Sequence, residues 1–423
     1  MTSRRGFIKG GGLALFGIGL GGIPGFLADA VAGTQAPGLF KRRKIMVCIF
    51  QRGAMDGLMA VTPFTDEFLK AARPTLFMSA AQSTTGKPLI DLDGKFGLHP
   101  SMAAFEPLFK DKRMGIVHGI GSPNNTRSHF DAQDYMESGT PFRKGTDSGW
   151  LNRAVGLLGH EAATPFQGVS LTSSLPRSFY GDNAAVAINN LQDFNIQMKG
   201  SPSAVNMASK SFEDLYDQTS SNLLKETGKE SFDAIKMLQK TDTKNYKPEN
   251  NAVYPNTALG NSLKQIAQLI KMDVGMEVAF TESGGWDTHF NQGKDTGIFA
   301  RNVNDLSESI VAFWTDMGTL QDDVTLMTMT EFGRTVKQNG TGGTDHGRAS
   351  CNFILGNGVN GGLVHGLVNP LSVENLEDGR DLAVTTDFRS VFSEVADRHL
   401  GIHNDKVLFP DWTGKQIGVM KKV

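Results

Sequence analysis

The chain has 423 residues, of which 39% are hydrophobic and 20% charged, and a formal net charge of −2. That length and apolar content suffice for one large α/β domain or two ordinary ones. The balanced charge supplies neither a basic surface for nucleic acid nor an acidic tail.

The first residues, MTSRRGFIKGGGLALFGIGLGG, place Arg4 and Arg5 before Phe7, Ile8 and Lys9 and a glycine-rich apolar run. The pattern Ser-Arg-Arg-x-Phe-Ile-Lys resembles a twin-arginine export signal. The glycines keep the run milder than a membrane anchor, and Pro24 ends it. Ala28, Ala30 and Ala32 offer a cleavage site of the A-x-A kind. The expected organisation is a signal over residues 1–32 and one domain over 33–423, with no stable membrane span after cleavage. The twin-arginine translocase is the expected export partner, and the periplasm or another exported location the destination. Translocases of this kind carry folded proteins, often with a cofactor already loaded.

The run from Ile45 to Phe50 predicts a strand buried on both faces, as in a parallel sheet. SMAAFEPLFKDKR predicts an amphipathic helix, Met114 to Gly121 the next strand, and HFDAQDYMESG a helix opening after Thr126 to Ser128. This alternation predicts an α/β sheet with helices on both faces. Residues 203–242 are polar and helix-forming and predict two helices of an insertion or lid, spanning about 200–250 and ending before Pro248. The alternation then resumes. SLKQIAQLIKM and NVNDLSESIVAFWTDMG read as helices, and MEVAFTESGG, DVTLMTMTEFG and ASCNFILGNGV as strands. DFRSVFSEVADRHLG is a last helix, capped by Asp387 and stopped by Gly401. The only cysteines, Cys48 and Cys351, lie in apolar runs and read as small core residues.

Several strand ends carry carboxylates or imidazoles. Asp56 follows the first strand, at the edge where open α/β sheets bind ligands, and reads as a metal ligand or as a turn or helix cap. Asp287 and His289 follow a second strand, and Glu331 ends a third. Asp345 and His346 lie in NGTGGTDHGRAS, just before a fourth. Carboxylates and imidazoles gathered by the fold repel unless a cation or proton intervenes. This mixed set suits zinc or manganese, with calcium or magnesium as harder alternatives. In NNTRSHF, Thr126 and Ser128 are candidate nucleophiles at a helix N-terminus, and Arg127 a candidate clamp for an anionic oxygen. His129 reads as a ligand, an acid/base group or a core residue. Ser128 also reads as an N-cap facing Asp131.

Taken together, QRGAMDGL, FGLHPSM, NNTRSHFDAQDYMESG, GGWDTH, TEFGRT and GTDHG resemble the bacterial family called domain of unknown function 1501, from Lys44 to about Leu408. The resemblance implies an alkaline-phosphatase-like and sulfatase-like α/β fold, with a large, mostly parallel central sheet flanked by helices. It implies one or two divalent metals and cleavage of phosphate or sulfate esters. Asp56 resembles the first-strand ligand, and Ser128 or Thr126 the nucleophile. Asp287 and His289 resemble an Asp-His metal pair, but are spaced Asp-x-His where the superfamily has Asp-x-x-x-His. Asp345 and His346 align as a paired Asp-His; alternatively Glu331 takes that place and His346 matches a later histidine. The second alignment accounts for both strands and leaves Phe332 where a histidine ligand would stand. The implied function is an exported metal-dependent hydrolase acting on a small anionic ester. The alternative is a non-catalytic exported protein that retains the fold and binds or assembles an envelope component.

Overall fold

The computed structural model describes residues 43–82, 86–160, 164–191 and 245–422. The expected signal and nearly all of the expected insertion lie outside the described residues. In chain order the elements are β1 (Ile45–Gln51), α1 (Gly57–Ala60), β2 (Val61–Pro63), α2 (Glu67–Ala72), β3 (Ile90–Asp91) and β4 (Phe96–Leu98). Next come α3 (Phe105–Lys110), β5 (Met114–Gly121), α4 (His129–Ser138), α5 (Trp150–Gly156), β6 (Gly168–Ser170) and β7 (Ala185–Ala187). Then follow α6 (Ala258–Lys271), β8 (Val278–Ser283), α7 (Ile298–Met317), β9 (Val324–Met329), β10 (Arg334–Gln338) and β11 (Thr344–His346). The chain closes with β12 (Ser350–Leu355), β13 (Val364–His365), β14 (Thr386–Asp387), α8 (Phe388–Leu400) and α9 (Asp405–Leu408).

Nine strands form the central sheet, in the order β13-β5-β12-β9-β1-β8-β6-β7, with β14 also pairing β5. β1 has parallel neighbours on both sides, β8 and β9. β12 is antiparallel to both β5 and β9, and the other pairings in this sheet are parallel. The expected large, mostly parallel sheet is therefore present, with one reversed strand.

Alternation along β1 explains why it lies at the centre. Val47 and Ile49 feed one hydrophobic core, and Met46, Cys48 and Phe50 the other. Leu263 and Ile266 of α6 and Val303 and Ile310 of α7 cover the first face. Trp150 of α5 and Val391 and Phe392 of α8 cover the second. Burying each of these large side chains contributes about 1.5–3 kcal/mol. The Asp387 side chain caps α8 by accepting from Arg389 N, and Gly401 ends it at φ 72°. The stretch read as one helix from Ser101 splits. A 3-10 turn over Pro100–Met102 precedes α3, where Pro107 sits in the first turn and forfeits no helical donor.

Direction matters more than order for the site. β1, β5, β8 and β9 point the same way, so the loops after them emerge at one edge of the sheet. β12 runs the other way, so its N-terminal end lies at that edge and receives the β10–β11 ribbon.

Candidate metal centre

β1 ends at Gln51, and the chain turns through Gly53 and Ala54, at φ 115° and 67°. A Cβ on Gly53 would stand 2.6 Å from the backbone nitrogen of Asp287, so only glycine lets the loop after β1 lie against the loop after β8. The Gly53 N–H donates to Glu331 Oε1 at 2.9 Å and ties in the loop after β9.

Three imidazoles converge at this edge. His129 opens α4, His289 follows β8, and His346 ends β11. His129 Nε2 and His289 Nε2 each lie 3.0 Å from His346 Nε2. Asp287 joins them. Its Oδ1 is 3.0 Å from His289 Nε2 and 3.3 Å from His346 Nε2, and its Oδ2 is 3.5 Å from His129 Nε2. Ligand atoms of His129, Asp287 and His346 all lie within 4.8 Å of one another.

The far side of each ring decides which nitrogen faces this point. His129 Nδ1 lies 2.9 Å from Glu331 Oε1, His289 Nδ1 3.0 Å from Asp345 Oδ1, and His346 Nδ1 2.8 Å from the Arg127 carbonyl oxygen. Ionised carboxylates and carbonyls only accept, so each Nδ1 carries the hydrogen and donates it. Each ring, in its neutral form, then presents its Nε2 lone pair to the cluster. Three lone pairs and a carboxylate repel at these separations unless a cation or proton lies among them. Four ligands in a tetrahedron around zinc, each about 2.0 Å from it, stand about 3.3 Å apart. Five separations among the four residues, counted over both Asp287 oxygens, are 3.0–3.5 Å and bracket that spacing, and His129, Asp287 and His346 form a group that could hold a divalent metal ion.

The surroundings hold the set in place. Arg334, fully buried, donates from Nη1 to Asp287 Oδ1 at 2.7 Å, and from its other nitrogens to the Thr344 hydroxyl and carbonyl. Burial pushes the Asp287 carboxyl up, but Arg334 together with His289 and His129 outweighs burial and leaves it below the usual carboxylate range. Burial likewise opposes ionisation of Glu331. Hydrogen bonds from His129, Gln133 and Gly53 outweigh burial and lower its pKa. The same Glu331 bond raises His129 against the effect of burial. Burial lowers His346. Phe332, 2% exposed, packs its ring 5.0 Å from the His129 ring and 5.1 Å from the His346 ring. The cluster is open to solvent, with side-chain exposures from 24% for His129 to 44% for Asp287.

The expected residues thus divide. Asp287, His289 and His346 lie in the cluster, and so does His129, which sequence reasoning grouped with the nucleophile segment. Glu331 and Asp345 stand one hydrogen bond behind the imidazoles and are not among the converging atoms. Asp56 is elsewhere. Its carboxylate is buried in a two-pronged pair with Arg73 at 2.8 and 3.1 Å, caps α1 at Met59 N and accepts from Gln292. That pairing satisfies the charge and corrects the ligand reading of Asp56. The Arg127 guanidinium is committed to Asp378 and Asp381, so its carbonyl rather than its charge serves the site. Ser128 occupies the N-cap position of α4 without a side-chain cap bond, and Asp131 pairs with Lys144 instead. Thr126 Oγ1 accepts from Ser128 N. His365 is bound to the Asn360 carbonyl.

Sequence reasoning missed the Arg334–Asp287 pair and Gln133, which donates to Glu331 Oε1 at 2.9 Å. It also missed a visible repeat. Ser128-His129-Phe130 and Thr288-His289-Phe290 are the same hydroxyl-His-Phe pattern on two loops.

Fold and cluster define a mostly parallel α/β protein with a His/Asp set able to hold a metal ion at the carboxyl edge of its sheet. The chain belongs to the DUF1501 family: residues 43–408 match that family, described as "Protein of unknown function (DUF1501)". A comparison with curated proteins finds no match. Among solved structures, the C-terminal periplasmic domain of EcEptC from Escherichia coli, a complex with Zn, is 10% identical, with 75% of this chain and 73% of that one covered and a TM-score of 0.35. The PsFucS1 sulfatase from Pseudoalteromonas sp. is 11% identical, with 95% and 78% covered and a TM-score of 0.38. The alkaline phosphatase from the Antarctic bacterium TAB5 is 11% identical, with 75% and 93% covered and a TM-score of 0.33. Likenesses this slight carry no argument about activity.

Proposed function

We propose that the protein is an exported, metal-dependent hydrolase of phosphate or sulfate esters. His129, Asp287, His289 and His346 would hold one divalent ion, zinc or manganese. One observation carries this reading: three imidazoles commit Nδ1 to outer acceptors and turn Nε2 inward beside a carboxylate. When bound, such an ion supplies Lewis acidity toward a phosphoryl or sulfuryl oxygen. The chain's own groups do the rest. Glu331, Asp345 and the Arg127 carbonyl hold each hydrogen at Nδ1, and Arg334 fixes Asp287. Phe332 fills the space beside two of the rings. The Ser128 or Thr126 hydroxyl, at the N-terminus of α4, is the nucleophile, where unpaired helix N–H groups favour developing negative charge. Export through the twin-arginine translocase is proposed from the Arg4-Arg5 motif.

A second reading, an exported binding or envelope-assembly protein, has its own support. Arg334, Arg127 and Arg380 all pair with carboxylates, which leaves those three charges spent before an anionic ester arrives. Metal analysis of the purified protein, with release of phosphate or sulfate from a panel of esters, separates the two. Bound zinc or manganese with turnover lost in Ser128→Ala or Thr126→Ala supports the hydrolase. Bound metal without turnover supports the binding protein. Metal-free protein that neither binds added zinc or manganese nor gains turnover sinks the metal reading.

A further inference from the structure

Two phenylalanines follow histidines of the cluster in sequence, and both are exposed among the described residues. Phe130 is 90% exposed, the most exposed large apolar side chain among the described residues, and Phe290 is 66% exposed. Single exposed apolar side chains are ordinary and need no explanation. These two are not scattered, because each directly follows a different histidine of one cluster, His129 or His289. Consecutive Cα atoms lie about 3.8 Å apart, so the backbone of each phenylalanine sits one residue from a histidine of the cluster, on two segments at the same edge of the sheet. The two histidines reach His346 from opposite partners, each at 3.0 Å, so the phenylalanines come from two separate walls, α4 and the loop after β8. Neither ring belongs to the buried core. The polar groups nearest in sequence are partly engaged. Asp131 pairs with Lys144, and the Asn291 backbone N–H donates to the Thr341 carbonyl, which engages the backbone but not the Asn291 side chain.

We infer that Phe130 and Phe290 bind the alcohol portion of the substrate, and that this portion is apolar. The inference rests on the proposed ester-hydrolase reading and adds the substrate class: phosphate or sulfate esters of a hydrophobic alcohol. The charges support it. Arg127, Arg334 and Arg380 are tied to Asp378, Asp381 and Asp287, so these three cations are not free to bind a charged alcohol portion. The ester O–P or O–S bond breaks as the Ser128 or Thr126 oxygen takes the phosphoryl or sulfuryl group, and that hydroxyl's proton goes to the departing alcohol. Water then releases the group, its hydroxyl going to phosphorus or sulfur and its proton back to the side chain. The leaving product is then the apolar one, and the exposed rings give it an open exit.

The test uses the full-length protein loaded with zinc or manganese, and four probes: octyl and ethyl phosphate, and octyl and ethyl sulfate. Chain length changes apolar area while leaving the alcohol's acidity nearly alone. Inorganic phosphate or sulfate release gives kcat/KM, and calorimetry gives binding. The octyl ester is expected to be preferred by at least about tenfold, since burying one ring-sized apolar surface is worth that much. Phe130→Ala and Phe290→Ala each cut the octyl-over-ethyl ratio severalfold through KM, and Phe→Leu at either site restores most of it. Metal content and circular dichroism matching the parent establish that the variants fold. Tighter binding of octyl probes without turnover of any probe would end the hydrolase reading and uphold the apolar class. Turnover of both chain lengths at equal kcat/KM would uphold the hydrolase and overturn the inference. So would a preference that survives both alanine variants, or the absence of binding by all four probes. Self-association in the ultracentrifuge that either alanine variant abolishes would also overturn it, since the rings would then be covered by a second copy.

Discussion

Replacing Glu331 with glutamine isolates the role of the group behind His129. Glu331 is fully buried, and its Oε1 accepts three donors at 2.9 Å: Gly53 N, His129 Nδ1 and Gln133 Nε2. Glutamine keeps an oxygen at that position, and its amide nitrogen can donate to the Thr330 hydroxyl, which lies 3.1 Å from Glu331 Oε2. Shape and hydrogen-bond count survive, and the charge is lost. Exchanging a charge-assisted hydrogen bond for a neutral one costs about 1 kcal/mol. The His129 ring also becomes a poorer donor to a cation once no carboxylate backs it. Carboxylates behind a metal-binding histidine typically govern metal affinity by about 10–100-fold, or about 1.4–2.7 kcal/mol. Glu331→Gln should therefore weaken zinc binding by about tenfold or more, measured by competition with a chromogenic chelator. Unchanged affinity would refute the reasoning. So would a loss as complete as that of His346→Ala, because Glu331 would then be a ligand itself.

His346→Ala removes the Nε2 that lies 3.0 Å from two other imidazoles, and should abolish tight metal binding. A chelator should lower the melting temperature of the parent by a few degrees and leave that of the variant alone, because a ligand at about 100 times its Kd stabilises by about 2.7 kcal/mol. Equal shifts in both proteins would contradict this. Gly53→Ala should destabilise by about 2 kcal/mol or more and reduce metal affinity, since the new methyl meets the Asp287 backbone. Gly145→Ala is the comparison: φ is 67° there but the space is open, so about 1 kcal/mol is expected in urea denaturation, and equal effects would defeat the steric argument. His99 and His118 are buried and His399 half-buried, all outside the cluster, and burial pulls each down to about 4. The unfolded chain protonates them near 6.5, so their contribution is full above that pH and is lost as pH falls toward 4. The loss is at most about 3 kcal/mol per residue, and a melting temperature that stays level from about pH 7 to about pH 5 would refute it.

The elements that build the sheet were readable because their periodicity is strong. Ile45 to Phe50 is apolar without interruption because both faces are covered, and Asp387 and Gly401 mark α8 by their capping chemistry. β2, β3 and β4 were not readable: they are two or three residues long and are held by pairing across the chain. At the site, the loops were legible and the roles within them were not. Asp56 and Asp287 look alike in sequence, each following a core strand in a loop that contains glycine. Arg73 neutralises the first from 17 residues away, and Arg334 orients the second from 47 residues away, and neither spacing is a local signal. Whether a carboxylate touches the cluster or backs a histidine depends on which ring nitrogen it meets, and chain order does not encode that. Phe332 stands in the cluster's wall, and its contacts to His129 and His346 are those of packing.

The one reversed strand has a mechanical consequence. β12 enters the sheet from the site edge, so the ribbon that carries His346 is held to the rest of the cluster through side chains 217 residues apart in sequence. A divalent ion shared by His129, His289 and His346 would act as a removable cross-link closing that long loop. Its effect should be greatest on openings that part β12 from β9, and it should be visible as slower hydrogen exchange at Phe353, Ile354 and Leu355 than in the distant β6–β7 edge. The metal, in that case, is also a fastener for the strand that runs against the grain of the sheet.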